Sequence, residues 1–421
     1  MIRLNSTVTD ECNFYGSTDP AALLKEFGSP LYVYNEAIIR ERAKEMKNLV
    51  SYKNFVVNYS AKANSNIAFL QIINDAGLNA EAMSPGEVAA ELRAGFKPEN
   101  MLCISNNTSC EEMKYIAGLG ITVSVDSLSQ LEQFGTVNPG CRVAVRFNTG
   151  VGAGHHEKVI TAGSDTKFGV NPEFIPEVKA IVEKHSLKLI GVNHHIGSLF
   201  MNPEPYLEGA ENLFGVAMNF RDLEFVDLGG GFGIPYNKQG GEERLALKQL
   251  GAKLDELIKE FVLRYGSEIT IKIEPGRYIS AECGVLLGKV RTVKYNGPVK
   301  YVGTDLGMNV LLRPAMYDSH HDIEVYRESG NTDIEQELVT VVGNICETGD
   351  IIAKNIRLPK IVEGDILGVL DAGAYGFVMS SNYNHRLRPA EVLIRQDGQP
   401  VLVRDRDTVE DLLKPYKTIK L

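Results

Sequence analysis

The chain has 421 residues, of which 44% are hydrophobic and 23% are charged, and its formal net charge is −10. At about 150 residues per domain, this length predicts two or three domains. The acidic balance excludes sequence-independent binding to nucleic acid, which needs a basic surface. The first residues lack the apolar stretch of a secretory signal, and no apolar run reaches the roughly 18 residues of a membrane helix. We therefore expect a cytoplasmic protein that binds neither nucleic acid nor a membrane.

Short β-rich runs alternate with helical patterns over the first two thirds of the chain. Helix starts are predicted at Ser84-Pro85-Gly86-Glu87, Ser109-x-x-Glu112 and Ser127-x-x-Gln130, where a serine caps the first turn. Eight strands alternating with helices predict a parallel (β/α)8 TIM barrel. An open doubly wound sheet is the rival, but the run Leu228–Ile234 does not contain the GxGxxG fingerprint of its commonest ligand. The eight predicted strands are Phe55–Ser60, Ala80–Met83, Leu102–Ile104, Ile121–Val125, Arg142–Phe147, Leu189–His194, Glu224–Leu228 and Thr270–Glu274.

The pattern changes after about residue 285, where strands are separated by loops rich in Gly, Pro, Asn and Asp. We therefore expect three regions. Residues 1–30 form an N-terminal segment that packs with the β domain, residues 31–284 form the barrel, and residues 285–421 form an all-β barrel or sandwich. The strands predicted in the last region are Val285–Lys294, Lys300–Thr304, Glu337–Val342, Ile366–Leu370, Glu391–Arg395 and Val401–Arg404.

Polar residues follow several barrel strands, at the face where barrel enzymes place their active sites. Lys62 can form a Schiff base with an aldehyde cofactor, although a solvated surface lysine is the ordinary alternative. The backbone of Gly229–Gly231 can close on a phosphate, although a tight glycine turn has the same composition. Glu274 can hold a proton on a heteroaromatic nitrogen and Arg277 can bind a phosphate or carboxylate, or the two form a structural ion pair. Together these residues fit pyridoxal 5′-phosphate (PLP), which needs a lysine for its aldehyde and an acid that makes its ring an electron sink.

The histidines permit a further set of interpretations. His195 can stack on a cofactor ring and Ser198 can bond to a phosphate, whereas His194 is expected to point the other way because side chains alternate along a strand. The doublets His155-His156 and His320-His321 raise the question of a metal. Adjacent histidines on a strand diverge, and the six cysteines show no zinc-binding spacing, so no metal site is expected.

Taken together, these motifs resemble those of the fold-type III PLP-dependent decarboxylases, and within them the diaminopimelate decarboxylase family. The resemblance extends from about Gly28 to about Glu391. The matching motifs are Tyr59–Asn64, Ser84–Glu87, His195–Ser198, Gly229–Gly233, Glu274–Arg277, Asp305–Tyr317, Gly343–Asp350, Asp371–Tyr375 and Ser381–Asn384.

The resemblance implies roles for individual residues. It implies that PLP contacts Lys62, His195, Ser198, Gly229, Gly230, Gly231, Glu274, Gly276, Arg277 and Tyr375. It implies that the catalytic groups are Lys62, His195, Glu274 and Cys346, and that the substrate contacts Arg277, Arg313, Tyr317, Glu347 and Tyr375. It also implies a homodimer in which the partner subunit's Cys346 and the partner subunit's Glu347 complete each site. The implied reaction is the decarboxylation of meso-2,6-diaminopimelate to L-lysine.

Two relatives are distinguished by particular residues. Alanine racemase resembles this barrel but places an arginine opposite the pyridine nitrogen, where Glu274 here favours decarboxylation. Ornithine decarboxylase resembles the chain too, but it carries Cys-Asp in place of Cys346-Glu347 and lacks the Arg-Pro-x-x-Tyr string. Arg313 with Tyr317 can supply the cation that a second substrate carboxylate needs. The alternatives that stay open are a decarboxylase of another basic amino acid (ornithine, arginine or a D-amino acid) and a non-catalytic PLP-binding protein.

Overall fold

The computed structural model of the chain describes residues 1–5, 8–104, 106–152, 154, 163, 166–328, 330 and 334–420. These residues divide into two units. The barrel unit comprises Arg40–Ile234 and Arg244–Ile279, and the β unit comprises Met1–Ile39, Pro235–Glu243 and Ser280–Leu421. The doublet His155-His156 lies outside the described residues.

The strands are numbered here along the chain. They are β1 (Ile2–Arg3), β2 (Leu31–Asn35), β3 (Phe55–Ser60), β4 (Asn79–Ala82), β5 (Met101–Ile104), β6 (Thr122–Val125), β7 (Arg142–Arg146), β8 (Lys188–Asn193), β9 (Phe225–Asp227), β10 (Thr270–Ile273), β11 (Gly284–Asn296), β12 (Val299–Thr304), β13 (Ile323–Arg327), β14 (Gln336–Val342), β15 (Ile351–Pro359), β16 (Ile366–Val369), β17 (Ala390–Ile394) and β18 (Pro400–Arg404).

The helices are numbered in the same way. They are α1 (Val8–Glu11), α2 (Pro20–Phe27), α3 (Glu36–Lys47), α4 (Ile67–Asp75), α5 (Pro85–Ala94), α6 (Cys110–Gly118), α7 (Leu128–Val137), α8 (Ile175–Lys184), α9 (Glu204–Ala217), α10 (Leu247–Tyr265), α11 (Arg277–Ser280), α12 (Arg313–Tyr317) and α13 (Val409–Leu413). None of these helices of the described residues combines the length and apolar character that crossing a bilayer requires.

The barrel unit contains a closed parallel barrel built from β3 to β10 in chain order. Each strand pairs with the next, and β10 returns to pair with β3, with Ile271 opposite Phe55. The strands are short and their side chains are mostly buried, as expected where helices cover the outside and side chains fill the inside. All eight barrel strands expected from the sequence are confirmed, and with them the TIM-barrel class.

Serine side chains begin three of the barrel helices. Ser109 accepts a hydrogen bond from the Glu112 N–H, and the Glu112 carboxylate accepts one from the Ser109 N–H, which completes a capping box at α6. Ser84 and Ser127 cap α5 and α7 in the same way from their side chains. Each cap satisfies an amide at a helix start that has no partner within the helix, so the serine that precedes each helix is fixed.

The β unit is organised around a ten-stranded sheet whose main path runs β1-β13-β16-β11-β12-β14-β15. Strand β2 pairs with both β11 and β17, and β18 pairs with β17. The core of this unit joins side chains from the N-terminal segment to side chains from the sheet. Its members include Phe14, Tyr15, Leu23, Leu31, Val33, Val285, Leu287, Ile366, Val392 and Ile394.

The division between the units differs from the expected boundary at residue 31. Residues through Ile39 group with the β unit, because β2 forms parallel hydrogen bonds with β17 and antiparallel ones with β11. The sequence analysis also did not predict β13 and β15. Strand β13 is fully buried yet contains Glu324 and Arg327, and β15 is largely exposed and interrupted at Asn355, which has a φ of 52°. Neither strand shows the alternation of apolar and polar residues on which the prediction depended.

Replacing Tyr34 tests how firmly β2 is bound to the β unit. The Tyr34 hydroxyl donates to Glu391 Oε1 at 2.6 Å, and both residues are only 1% exposed. Tyr34→Phe removes one donor from a buried carboxylate, and we expect it to lower the free energy of unfolding by about 1–3 kcal/mol. Urea denaturation measures the change. Tyr295→Phe is the control, because Tyr295 is 69% exposed, and its effect is expected to stay within about 0.5 kcal/mol. Equal effects of the two substitutions would contradict this role of Tyr34.

Candidate active site

Lys62 lies in a 3₁₀ turn, Ala61–Ala63, directly after β3. Its Nζ is 3.4 Å from Glu81 Oε2 and 3.8 Å from Met83 Sδ, so the amine faces the neighbouring strand β4. Glu81 is fully buried, whereas the Lys62 side chain is 29% exposed. A buried acid at hydrogen-bonding distance fixes the position of the amine. Sequence analysis missed Glu81, although a single acid inside a barrel strand was a usable signal.

The glycine run after β9 brings its backbone against two neighbouring strand ends. A Cβ on Gly229 would lie 2.4 Å from the His194 carbonyl oxygen, one on Gly230 would lie 2.0 Å from that of Glu274, and one on Gly231 would lie 2.3 Å from that of Gly197. Gly229 and Gly231 also have φ values of 65° and 105°, which glycine adopts without strain. No side chain fits at these three positions, so the main chain itself packs against the neighbouring strand ends, with the Gly229 N–H on Asp227 and the Gly230 N–H on His195.

Glu274 and Asp227 form a pair of buried acids at the ends of β10 and β9. The Glu274 side chain hydrogen-bonds to Asp227, which also accepts the Gly229 N–H at 3.0 Å. Burial raises the pKa of Glu274 well above its usual value, and the charge of Asp227 raises it further. Burial also raises the pKa of Asp227, but the hydrogen bonds that it accepts oppose the rise. Glu274 Oε1 and Asp227 Oδ2 both have no hydrogen-bond partner among the described residues.

His195 is held as a neutral imidazole. Its Nδ1 accepts the Gly230 N–H at 3.1 Å, so the ring proton lies on Nε2. Desolvation lowers the pKa of His195 well below its usual value, and the charge of Lys62 lowers it further. His194 faces α9 instead, where a Cβ on Gly209 would lie 2.9 Å from its ring, and its Nδ1 is 3.0 Å from Thr149 Oγ1. The two histidines diverge, as expected from strand alternation.

Arg277 begins the short helix α11 and its guanidinium contacts Ser198, with 2.9 Å between Nη2 and Oγ. The turn before it packs closely on the turn of Lys62, since a Cβ on Gly276 would lie 2.9 Å from Ala63 Cβ. Ser60 Oγ donates to the Glu274 carbonyl at 3.1 Å. These contacts link the ends of the first and last barrel strands. They bring Arg277 and Ser198 together, as the sequence motifs imply.

The barrel residues fit PLP by three separate observations. The glycine run leaves a main-chain cradle that any side chain would fill. Glu274 presents a buried oxygen without a hydrogen-bond partner. The amine of Lys62 is partly exposed and is held by a buried acid. The glycine run suits the phosphate of PLP, Glu274 suits its ring nitrogen, and Lys62 suits its aldehyde.

In the β unit, Arg313 lies at the start of α12 and is 1% exposed. Its Nη1 is 2.7 Å from His321 Nε2, and its guanidinium carbon is 4.3 Å from the centre of the Tyr236 ring. His321 Nδ1 lies 2.7 Å from the Leu370 carbonyl oxygen, which can only accept. His321 Nδ1 therefore donates, and Nε2 accepts from Arg313. One member of the His320-His321 doublet thus orients an arginine, and the described residues contain no group of side chains arranged to hold a metal ion.

Tyr317 and Tyr375 lie on separate segments of the same unit. Tyr317 is half-buried on α12, four residues after Arg313 and therefore on the same helical face. Tyr375 is half-buried in the loop after β16 and has a φ of 54°. In the same loop, Asp371 forms a 2.6 Å ion pair with Lys238, and a Cβ on Gly373 would lie 1.9 Å from the Ser280 carbonyl oxygen. The loop that carries Tyr375 is therefore closely fixed.

Cys346 and Glu347 occupy an exposed loop between β14 and β15. Asp350 organises this loop, because its carboxylate accepts the Met308 N–H at 2.5 Å and the Ile345 N–H at 2.6 Å. A Cβ on Gly343 would lie 2.4 Å from the same carboxylate. The Gly343–Asp350 motif thus builds a rigid loop that presents the thiol and the carboxylate side by side.

Comparison with known proteins now identifies the family. Residues 36–281 match the family model of the pyridoxal-dependent decarboxylases, pyridoxal binding domain. The diaminopimelate decarboxylase of Methanothermobacter thermautotrophicus is 41% identical over 95% of this chain and 94% of its own length. The chain belongs to the diaminopimelate decarboxylase family. The Bacillus subtilis member is 34% identical over 96% of this chain and 95% of its own length. The structure of the Helicobacter pylori enzyme complexed with L-lysine superposes with a TM-score of 0.87, at 29% identity, over 94% of this chain and 99% of that one.

Family membership makes PLP the cofactor, and the structure shows how the predicted site residues are grouped. The barrel unit brings together Lys62, His195, Ser198, Gly229, Gly230, Gly231, Glu274, Gly276 and Arg277. Within the β unit, Arg313 and Tyr317 share one helix, and Cys346 and Glu347 share one loop. Two buried acids of the barrel, Glu81 and Asp227, were not predicted. Asp227 follows two apolar residues in a buried strand, which was its only local signal.

Replacing Gly230 tests the main-chain cradle. In Gly230→Ala the new methyl group would lie 2.0 Å from the Glu274 carbonyl oxygen, so the turn must move. We expect PLP affinity to fall about 5–100-fold, corresponding to the usual cost of about 1–3 kcal/mol for overpacking. Titration of the apoprotein with PLP measures the dissociation constant. Gly215→Ala in α9 is the control, because no heavy atom lies within 4 Å of its new Cβ, and PLP affinity should not change. Unchanged affinity in Gly230→Ala would contradict the proposed cradle.

Proposed function

We propose that this protein decarboxylates meso-2,6-diaminopimelate to L-lysine and CO2 with PLP as its cofactor. The observation that carries the proposal is the buried pair of Glu274 and Asp227 beside the glycine cradle, in which burial and the neighbouring acid raise the pKa of Glu274. Relatives named diaminopimelate decarboxylase, up to 41% identical over nearly the whole chain, support the choice of substrate.

PLP, when bound, supplies the electron sink that accepts the electron pair of the broken C–C bond. Lys62 is the amine that attaches the aldehyde, and Glu81 holds that amine in position. Arg277 and Ser198 would bind the phosphate beside the glycine turn, in which the Gly229 and Gly230 N–H groups are already held by Asp227 and His195. Glu274 would share a proton with the ring nitrogen through Oε1, which has no partner among the described residues, while Asp227 hydrogen-bonds the same side chain. Because His195 is neutral, it can lie against the ring without competing for that proton.

Side chains of the β unit bind the distal end of the substrate, which carries its second carboxylate and second ammonium group. Arg313 supplies a fixed cation for the distal carboxylate, with Tyr317 on the same helical face as a hydroxyl donor. Glu347 receives the distal ammonium, and Tyr375 contacts cofactor and substrate. Cys346 delivers a proton to the carbon that has lost CO2. A monocarboxylic amino acid lacks the carboxylate that Arg313 would bind, which disfavours it as a substrate.

We further propose that the enzyme works as a homodimer in the cytoplasm. Cys346 and Glu347 are exposed in the single chain, which suits groups that act across a two-fold interface. The partner subunit's Cys346 and the partner subunit's Glu347 then complete each barrel site. All six cysteines are free thiols, which suits a reducing compartment.

A substrate panel tests the reaction. CO2 release by the PLP-loaded protein is measured with meso-, LL- and DD-diaminopimelate, L- and D-lysine, L- and D-ornithine, and L-arginine. We expect strong preference for the meso isomer and L-lysine as the product, because only a dicarboxylic substrate pairs with Arg313. Turnover of ornithine, arginine or lysine in preference to diaminopimelate would refute the role of Arg313. No turnover of any compound would favour a PLP-binding protein without catalysis.

Mixing two inactive variants tests the shared site. Lys62→Ala and Cys346→Ala each remove one component, and a mixed dimer regains one intact site of two. Since half of the randomly assembled dimers are mixed, we expect about one quarter of the wild-type rate after co-refolding equal amounts. The control mixes Lys62→Ala with Glu274→Ala, which both alter the barrel and should remain inactive. Failure of the first mixture to recover activity at any ratio would place the whole site within one chain.

A further inference from the structure

The exposed loop that carries Cys346 and Glu347 is bound by two consecutive residues from a distant part of the β unit. Asn384 contacts Cys346, and Tyr383 contacts Glu347. Two consecutive residues of one segment thus contact two consecutive residues of the other. Neither Tyr383 nor Asn384 has a part in the chemistry described above.

Asn384 makes two hydrogen bonds to the same cysteine. Its Oδ1 accepts the Cys346 N–H at 3.0 Å, and its Nδ2 donates to Cys346 Sγ at 3.1 Å. These two contacts use both ends of the amide, which fixes its orientation. Asn384 also has a φ of 54°, a left-handed conformation that asparagine tolerates better than most residues. The backbone is therefore bent in a way that brings this amide onto the thiol.

Tyr383 makes the matching contact to the carboxylate. Its hydroxyl donates to Glu347 Oε1. The carboxylate raises the pKa of the Tyr383 phenol, so the hydroxyl keeps its proton and remains a donor. Both side chains are exposed, so this bond, rather than burial, holds the Glu347 carboxylate in one orientation.

We propose that Asn384 and Tyr383 are positioning residues with separate tasks: Asn384 orients the thiol of Cys346 for proton delivery, and Tyr383 orients the carboxylate of Glu347 for the distal ammonium. This inference rests on the proposed function, in which Cys346 and Glu347 have those roles. It assigns the proton-transfer step to one contact and substrate binding to the other.

The hydrogen bond at sulfur suits the proton transfer that it serves. The S–H bond breaks, and its proton forms a C–H bond with the electron pair left on the carbon by departing CO2. The sulfur keeps the S–H electron pair as a thiolate and later regains a proton from solvent. Because Asn384 Nδ2 already donates to sulfur, the thiol proton points away from the amide, and the thiolate is stabilised as it forms.

Two substitutions at residue 384 separate the amide from the backbone shape. Asn384→Gly removes the side chain, and glycine accepts the left-handed φ. Asn384→Asp keeps an acceptor for the Cys346 N–H but loses the donor to sulfur. We expect both to lower kcat for L-lysine formation about tenfold while KM changes less than twofold, because only the thiol is affected.

Alkylation of the apoprotein gives a readout that does not depend on activity. The rate at which iodoacetamide modifies Cys346 is followed by peptide mass spectrometry at neutral pH. Loss of the Nδ2 donor disfavours the thiolate, so both substitutions should slow alkylation about fivefold. A wild-type rate of alkylation in both variants would overturn the role of Asn384.

Tyr383→Phe should give the opposite kinetic pattern. We expect KM for meso-diaminopimelate to rise about fivefold with kcat within twofold, because a less ordered Glu347 weakens binding alone. His385→Asn is the control: it is the next residue, it shares the left-handed backbone with a φ of 53°, and neither kinetic constant should change. A parallel fall of kcat and rise of KM in every variant would show a merely structural segment and overturn the proposal. Failure of the wild type to form L-lysine would refute the proposed function instead, while the alkylation rates would still decide the contact at sulfur.

Discussion

The pairing of β10 with β3, which closes the barrel, is the constraint on which the rest of the site depends. It joins the first and last strands of the barrel, so the turn of Lys62 meets the turn of Glu274 although 212 positions separate them. At this contact, the Ser60 hydroxyl donates a hydrogen bond to the Glu274 carbonyl. Gly276 permits the two turns to approach because it has no Cβ. With these strand ends fixed, an amine and a buried acid face the same barrel mouth, and the glycine run after β9 lies against the acid's own backbone.

Electrostatics inside the barrel follow from this geometry. Three buried acids, Glu81, Asp227 and Glu274, lie near two cations, Lys62 and Arg146. The acids cannot all ionise in a region of low dielectric, and the proton settles where the fewest hydrogen bonds stabilise a charge. Asp227 and Glu274 each have one buried oxygen without a hydrogen-bond partner among the described residues, but Asp227 also accepts the Gly229 N–H, and the pKa of Glu274 is raised well above its usual value by burial and by the charge of Asp227.

The sequence predicted the barrel well because each of its strands is a short buried run between helical segments, several of which begin at a capping serine, and both are local patterns. Strand β2 shows the limit of local patterns: its five residues are all buried, but only its pairing with β11 and β17 assigns it to the β unit. Within the site, Lys62 and Glu274 were predictable because they end strands and belong to recognisable motifs. Glu81 was missed although it is an acid inside a barrel strand, because its contact with Lys62 in the turn after β3 is visible only once the two strands are paired. The bonds of Asn384 to Cys346 connect segments 38 positions apart, and no spacing rule links them.

The placement of β2 has a consequence for how the chain is made. Leu31–Asn35 leaves the ribosome early, but β11, its first partner, begins roughly 250 residues later, and β17 begins later still. If the ribosome adds about 5–20 residues per second, both edges of this apolar strand stay unpaired for on the order of tens of seconds. The whole barrel is synthesised during that interval. A nascent chain of this protein therefore exposes an apolar strand with unpaired edges while the barrel strands are already complete. We expect a chaperone that binds the nascent chain to bind this strand.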